Sequence, residues 1–316
     1  MAMTNVDQQA VAQEVSYVLF KLYCFQFNIA RICFLQQVTD INLFICELHR
    51  LCTLQVLQLK VFTASTSTAA ASQTVAVTVD SGYKIISGGG KMTSGDILML
   101  ETYPTDNNTM WVTSHSMHVV STTGNAAAYA IGLYDPDDEW DVSVFTEEST
   151  SSATPSVSVS VPDGYLMTGG GAEVTSSDSG AGLVIIGSYP SGNSTWTAVA
   201  NEHRSVGTGK VRAYAIGLKH KTYYCLHECA IASAVSSSAQ HPTVTITRTD
   251  PIIIGGGAYG TLPADNPLAG NILIDTYPGV TDGTNWVAKA KDHMIVQHGT
   301  VTAYSIECPN INITFV

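Results

Sequence analysis

Three histidines stand at matching places in this chain. His118, His203 and His293 each follow a tryptophan (Trp111, Trp196, Trp286) by seven residues and precede a tyrosine (Tyr129, Tyr214, Tyr304) by eleven. Upstream of each tryptophan lies a Tyr-Pro pair: Tyr103-Pro104, Tyr189-Pro190 and Tyr277-Pro278. Further upstream comes a glycine triplet, at 88–90, 169–171 and 255–257. An imidazole can carry a proton, make hydrogen bonds or ligate a metal. Three of them meeting on one axis could hold a zinc-like ion, which favours tetrahedral nitrogen ligation with one open position. Kept apart, each would help build one of three equivalent ligand sites, or serve as a satisfied structural group at a strand end. The tyrosines of the Tyr-Pro pairs end a strand at a loop, where aromatic side chains often meet ligands. The candidate ligand-binding residues are therefore Tyr103, His118, Tyr189, His203, Tyr277 and His293.

Catalysis finds little support. The chain has no nucleophile elbow, no H-E-x-x-H and no cysteine-nucleophile signature. Glu202 and Asp292 precede two of the histidines, but Met117 stands at that place in the first copy. Chemistry shared by three copies would need its residues in all three. The expectation is a protein that is not an enzyme, with no catalytic residue, no cofactor and no dedicated metal site.

The elements that carry these residues come from an internal repeat. The gap between glycine triplet and Tyr-Pro varies among copies, as a loop would, while the Trp-to-His and His-to-Tyr spacings are constant. Each copy holds an alternating strand (VAVTV, VSVSV, TVTIT), a turn (DSG, PDG, RTDP) and a strand running into the glycines. Asp-Ser-Gly and Pro-Asp-Gly supply the positive φ that a tight hairpin needs. The reading is mainly β: three homologous antiparallel repeats of about eighty residues, six short strands each, in a pseudo-threefold, prism- or trefoil-like arrangement. Short links between copies favour closure over a linear string. The units are 57–134, 135–218 and 219–316, after a segment 1–56.

No helix pattern follows any triplet, so the glycines do not read as a phosphate loop. A bulge, or another strand too close to leave room for a Cβ, explains them better. The tryptophans alternate with Ala198 and Ala200, or with Ala288 and Ala290, and read as core anchors. Tyr129, Tyr214 and Tyr304 read as core residues with the hydroxyl bonded at the rim.

From Val15 to about Leu59 the chain contains neither Gly nor Pro, and apolar residues recur at three- and four-residue steps (Phe44, Leu48, Leu51, Leu54, Leu57). That predicts an α-helical segment, with Asp40 as a cap for a second helix. The stretch Tyr17 to Leu35 is long enough to cross a membrane, but Lys21 and Arg31 lie inside it, so a membrane is the second choice. So apolar a helix must be buried. The expected partner is the protein itself, a homo-oligomer or polymer formed through residues 15–59.

A formal net charge of −12, with no Lys/Arg cluster, argues against nucleic acid as a partner. The acidic run 135–141 and the basic run 219–221 read as two solvated loops, or else as corners that could pair. The seven cysteines lack a regular framework and read as reduced, buried thiols. No signal peptide is evident, so the sequons at Asn107, Asn193 and Asn312 carry little weight. The compartment stays open between non-classical export to the cell surface and cytoplasmic assembly.

The strings GYLMTGGGAEV, SYPSGNSTWTAVANEH and VRAYAIGL resemble bacterial secreted or surface β-repeat modules, which carry a glycine triplet, a Ser-Tyr or Ser-Pro turn, a Trp strand and a closing AYA strand. The resemblance covers about residues 60–310. It implies adhesive or binding modules of largely unassigned function. In that set a cysteine commonly stands in the closing strand, whereas here Gly132 and Gly217 follow AYAI, which implies that the disulfide is lost. The function expected is a self-assembling structural or surface protein whose β head binds glycans. The alternatives are a multivalent lectin-like protein and a pore-forming toxin with inserting N-terminal helices.

Overall fold

The computed structural model describes residues 56–92, 97–105, 107–117, 121–177, 182–203, 207–222, 229–261, 271–293, 296–309 and 313–316. The chain divides into two units, 1–56 and 57–316, and every described strand belongs to the second. The helical segment, Asp40 and the span Tyr17 to Leu35 lie outside the described residues. Among the described residues there is no helix, and the protein is mainly β.

Alternation builds these strands. In the strand Ser72–Thr78, Val75 and Val77 are buried while the residues beside them face solvent. The first repeat supplies β1 (Leu57–Ser65), β2 (Ser72–Thr78), β3 (Tyr83–Met92), β4 (Ile97–Pro104), β5 (Met110–Met117) and β6 (Ala126–Tyr134). The second supplies β7 (Trp140–Glu148), β8 (Ser156–Ser160), β9 (Leu166–Ser177), β10 (Leu183–Gly192), β11 (Thr195–Glu202) and β12 (Gly209–His220). The third supplies β13 (Ala230–Val235), β14 (Thr243–Thr247), β15 (Ile252–Gly260), β16 (Ile272–Pro278), β17 (Asn285–Lys291) and β18 (Val301–Cys308). A final strand, β19 (Ile313–Phe315), pairs in parallel with β1. The hairpin glycines Gly82 and Gly164 sit at φ 84° and 89°, as their turns demand. Leu57 and Leu59, read as the tail of the helical stretch, instead alternate inward in β1, with Leu59 opposite Leu133. Apolar spacing over so few residues fits either period.

No sheet belongs to one repeat. The sheet orders are β14-β17-β16-β3-β6-β1-β19, β13-β18-β15-β10-β11-β8 and β2-β5-β4-β9-β12-β7. Each repeat divides its strands between two sheets, and each sheet joins halves of two repeats. The junctions run in a cycle: β3 of repeat 1 pairs with β16 of repeat 3, β9 of repeat 2 with β4 of repeat 1, and β15 of repeat 3 with β10 of repeat 2.

The tryptophans anchor this packing. Trp111, Trp196 and Trp286 are fully buried, and each indole N–H donates to a hydroxyl on the neighbouring strand, Thr102, Ser188 and Thr276. Each indole lies on a glycine of its repeat's other sheet. A Cβ on Gly88, Gly170 or Gly256 would come within 2.4, 2.4 and 2.7 Å of it. The triplets therefore align one residue out of step: Ser87-Gly88-Gly89 matches Gly169-Gly170-Gly171 and Gly255-Gly256-Gly257. A register shift precedes each, at Ile86, Thr168 and Ile254, as the bulge reading expects.

One expectation is corrected and one alternative is decided. Cys229 and Cys308 are not reduced thiols but a disulfide, joining the first and last strands of repeat 3 where repeat 1 packs Leu59 against Leu133. Sequence spacing could not reveal a cross-strand pair between cysteines this far apart. The charged runs do not stand apart either: they pair within the chain, the second of the two readings, while Asp138 and Lys221 stay exposed. Lys219 bonds Asp141 at 3.3 Å, and Lys221 and Lys84 both bond Asp138. Those two lysines hold the Asp138 carboxyl down at about 2. Asp135 turns inward, where its carboxylate accepts the backbone N–H groups of Glu139 and Trp140.

Candidate functional site

The three junctions between repeats share one construction on their outer face. Across each, the tyrosine of a Tyr-Pro pair stacks on the closing-strand tyrosine of a different repeat. Tyr103 meets Tyr214 with ring centroids 4.9 Å apart, Tyr277 meets Tyr129 at 4.7 Å, and Tyr189 meets Tyr304 at 5.0 Å. The strand between them contributes a glycine: Gly171, Gly89 and Gly257 in turn. With no Cβ there, the two rings lean over the gap and cover the bare backbone, a known device for stabilising glycine in sheets. A Cβ would also strike the adjoining strand, lying 1.9 Å from the carbonyl oxygen of Thr276 at Gly89, 2.5 Å from that of Thr102 at Gly171 and 2.3 Å from that of Ser188 at Gly257.

The next outward-facing position differs at each seam. It is Lys91 at the Tyr277–Tyr129 seam (hereafter the first), Glu173 at the Tyr103–Tyr214 seam (the second) and Tyr259 at the Tyr189–Tyr304 seam (the third), opposite Asp275, Glu101 and Gly187 respectively. At the first seam Lys91 lies over the Tyr277 ring at 5.0 Å. Burial raises the Asp275 carboxyl to about 6, although its Oδ1 accepts the Met92 N–H at 3.0 Å and Lys289 and Lys91 oppose the shift. At the second, Glu173 accepts from the Tyr214 hydroxyl and from Arg212, which also reaches Glu148. Burial, and then the charge of Glu173, raise the Glu101 carboxyl, against a hydrogen bond from Ser114. At the third, three tyrosines gather and burial raises Tyr189 and Tyr304. These phenols stay protonated and neutral, available as hydroxyl partners beside an aromatic face.

Tyr103, Tyr189 and Tyr277 thus occupy equivalent, half-buried places on three separate seams. Tyr129 and Tyr304, expected in the core, are half-buried on the outer face with them, and Tyr214 is covered by the Glu173–Arg212 network. Sequence reasoning missed Lys91, Glu173 and Tyr259, because nothing local says that another repeat's strand will lie alongside.

The two described histidines of the motif are buried and take no part in the half-buried tyrosine stacks. His203 and His293 are 1% and 2% exposed, and they meet each other: His203 Nε2 and His293 Nδ1 are 2.8 Å apart, with ring centroids at 5.0 Å. Each follows a carboxylate that accepts a backbone N–H five residues further on. Glu202 accepts the Gly207 N–H at 3.0 Å, and Asp292 accepts the Gln297 N–H at 3.1 Å. The backbone N–H of His203 donates to Gly182 O, just before β10. Nearby in sequence, Val184 packs with its counterparts Leu98 and Ile272 in one small apolar cluster drawn from all three repeats. His118 lies outside the described residues. Among the described residues, no three His, Cys, Asp or Glu side chains gather as a metal site. No described helix is long and apolar enough to cross a membrane.

Neither protein-family models nor curated proteins match this chain.

Proposed function

We propose that this chain is a non-enzymatic, self-assembling display protein. Its three repeats make a pseudo-threefold, prism-like head that binds glycans at the tyrosine seams, and residues 15–59 join copies. The observation that carries the binding reading is the threefold recurrence of a half-buried tyrosine stacked across a seam. An aromatic face beside neutral hydroxyls suits the apolar face and hydroxyl edge of a sugar ring. Lys91, Glu173 and Tyr259 give the seams different charge, so related but unequal ligands are expected at each. Three weak sites on one head, multiplied by assembly, would bind by avidity. The resemblance to surface β-repeat modules points the same way.

A glycan array probed with the full chain tests binding. Wild type is expected to bind, and the triple variant Tyr103→Ala, Tyr189→Ala, Tyr277→Ala to lose binding while keeping its β circular dichroism. No binding by folded wild type would sink the glycan reading. Sedimentation of the full chain tests assembly: a monodisperse monomer that still binds glycans would leave the simpler lectin-like reading.

A further inference from the structure

We infer that Met92, Met99 and His115 form a binding site for a soft monovalent metal ion, Cu⁺, in the core of repeat 1. This rests neither on the glycan reading nor on assembly. His115 is 1% exposed, and neither of its ring nitrogens has a hydrogen-bond partner among the described residues. Met99 stands directly opposite it on β4, and Gln73 directly opposite on β2. Residues so paired share a face, with Cβ atoms about 4.5–5.5 Å apart. Met92 comes from the other sheet. On β3 a Cβ at Gly88 would meet Trp111 at 2.4 Å, and one at Gly90 would meet Thr113 at 2.6 Å. Two residues further along both strands, Met92 and His115 are the next pair in these rows. Repeat 3 shows the same relation directly: a Cβ on Gly260 would lie 3.6 Å from the Ala290 Cβ. The Met99 methyl also reaches across, ending 3.2 Å from the Cβ position of Gly90.

The other repeats hold hydrocarbon here. Where repeat 1 has Met92, Met99 and His115, repeat 2 has Val174, Ile185 and Ala200, and repeat 3 has Gly260, Leu273 and Ala290. Gln73 likewise stands where Pro155 and Pro242 lie, whose carbonyls accept the N–H groups of Ala200 and Ala290. The fold therefore asks for no polar group at this place, and a buried imidazole without a partner costs stability. An ion that takes its lone pair accounts for its standing between two thioethers. Burial lowers the His115 pKa, so the ring is neutral, as a ligand must be. Thioether sulfur favours soft Cu⁺ over the oxygen-seeking Ca²⁺ and Mg²⁺, and imidazole suits copper too. None of the three donors is anionic, which favours burying a single charge over the double charge of Zn²⁺. Gln73 Oε1, buried and also without a partner among the described residues, offers an acceptor for the remaining imidazole N–H, the usual support of a ligating histidine. β2 is an edge strand and Gln73 is half-buried, so the ion has a way in beside it.

The test titrates the full chain with Ag⁺, a redox-stable stand-in for Cu⁺, in chloride-free buffer. Thiols are alkylated first, because thiolates would compete for the ion. Methionine methyl ¹³C spectra are the readout. Ag⁺ should shift the Met92 and Met99 methyls and spare Met117, exposed on the same strand as His115, while Zn²⁺ should shift neither. Met99→Leu and His115→Ala should each weaken binding at least tenfold, and Met117→Leu should not. The first two place in repeat 1 the residues that repeat 3 carries, Leu273 and Ala290, so folded variants are expected. Should either fail to fold, the wild-type ring ¹⁵N signals of His115 decide: Ag⁺ must shift them. Unmoved Met92 and Met99 methyls, an unmoved His115 ring, or folded variants that bind like wild type would each overturn the site.

Discussion

The ring of Tyr277 lies 4.7 Å from that of Tyr129, although the strands that carry them are not neighbours. Strand β3 runs between them, and strands two apart in a sheet are separated by roughly 9–10 Å. The rings close that distance only because β3 presents Gly89 at the crossing point, paired with Tyr129. The same relation ties Tyr103 to Tyr214 over Gly171 and Tyr189 to Tyr304 over Gly257. A seam between repeats is thus a glycine roofed by two tyrosines.

Gly89→Ala should therefore damage the protein more than its small volume suggests. The added methyl would fall 1.9 Å from the Thr276 carbonyl oxygen, a backbone atom of the facing repeat. Overpacking of this kind costs about 1–3 kcal/mol, and an immovable backbone puts it at the upper end. Thermal denaturation should show a melting temperature several degrees lower, with Tyr fluorescence reporting loss of the stack. An unchanged melting temperature would show that the seam is looser than these distances imply.

Stability should fall as pH rises from about 4 to about 6, and Asp275 should be a cause. Burial raises its carboxyl from 3.8 to about 6, so in that window the folded state binds more protons than the unfolded state. Folding then weakens with rising pH, by up to roughly 1.4 kcal/mol for each pH unit crossed between the unfolded and folded values. The loss is complete above the folded value. Asp275→Asn keeps an oxygen for the Met92 N–H and removes the titration. Its melting temperature at pH 7.5 should exceed that of wild type, and the gap should close at pH 4. Parallel pH curves for the two proteins would rule Asp275 out.

Reduction should loosen the third repeat. The Cys229–Cys308 bond closes a loop with a sequence separation of 79. A cross-link over so long a loop contributes about 2–4 kcal/mol, mostly by restricting the unfolded chain. Denaturation with and without reductant should differ by that amount. The double variant Cys229→Ser, Cys308→Ser should match the reduced wild type and show no further response to reductant.

Ser87→Ala is expected to stabilise. Ser87 aligns with Gly169 and Gly255, and a Cβ on either glycine would lie 2.6 Å from its hydroxyl. One side chain thus fills a place where three repeats meet. Its Oγ is fully buried with no hydrogen-bond partner among the described residues. Alanine keeps the Cβ and removes a buried unsatisfied group, a gain of about 1 kcal/mol. A lower melting temperature would mean that the hydroxyl has a partner after all.

The sequence by itself determined the strands, their number in each repeat and the burial of the tryptophans. Those features are written in short-range patterns: alternation in VAVTV and VSVSV, turn glycines at Gly82 and Gly164, and alanines alternating with Trp196 and Trp286. It also marked Tyr103, Tyr189, Tyr277, His203 and His293 by position. Only the tertiary structure decided what meets what. The junction strands β3 and β16, β4 and β9, and β10 and β15 come from different repeats, so no local period encodes their register. Repeats built on one pattern also present similar edges, and local patterns do not say which copy's edge will pair with which. The Tyr129–Tyr277 stack, the His203–His293 contact and the Cys229–Cys308 bond all depend on that choice. It is made by packing, because the glycine strand of one repeat leaves room only for a close-fitting strand from the next.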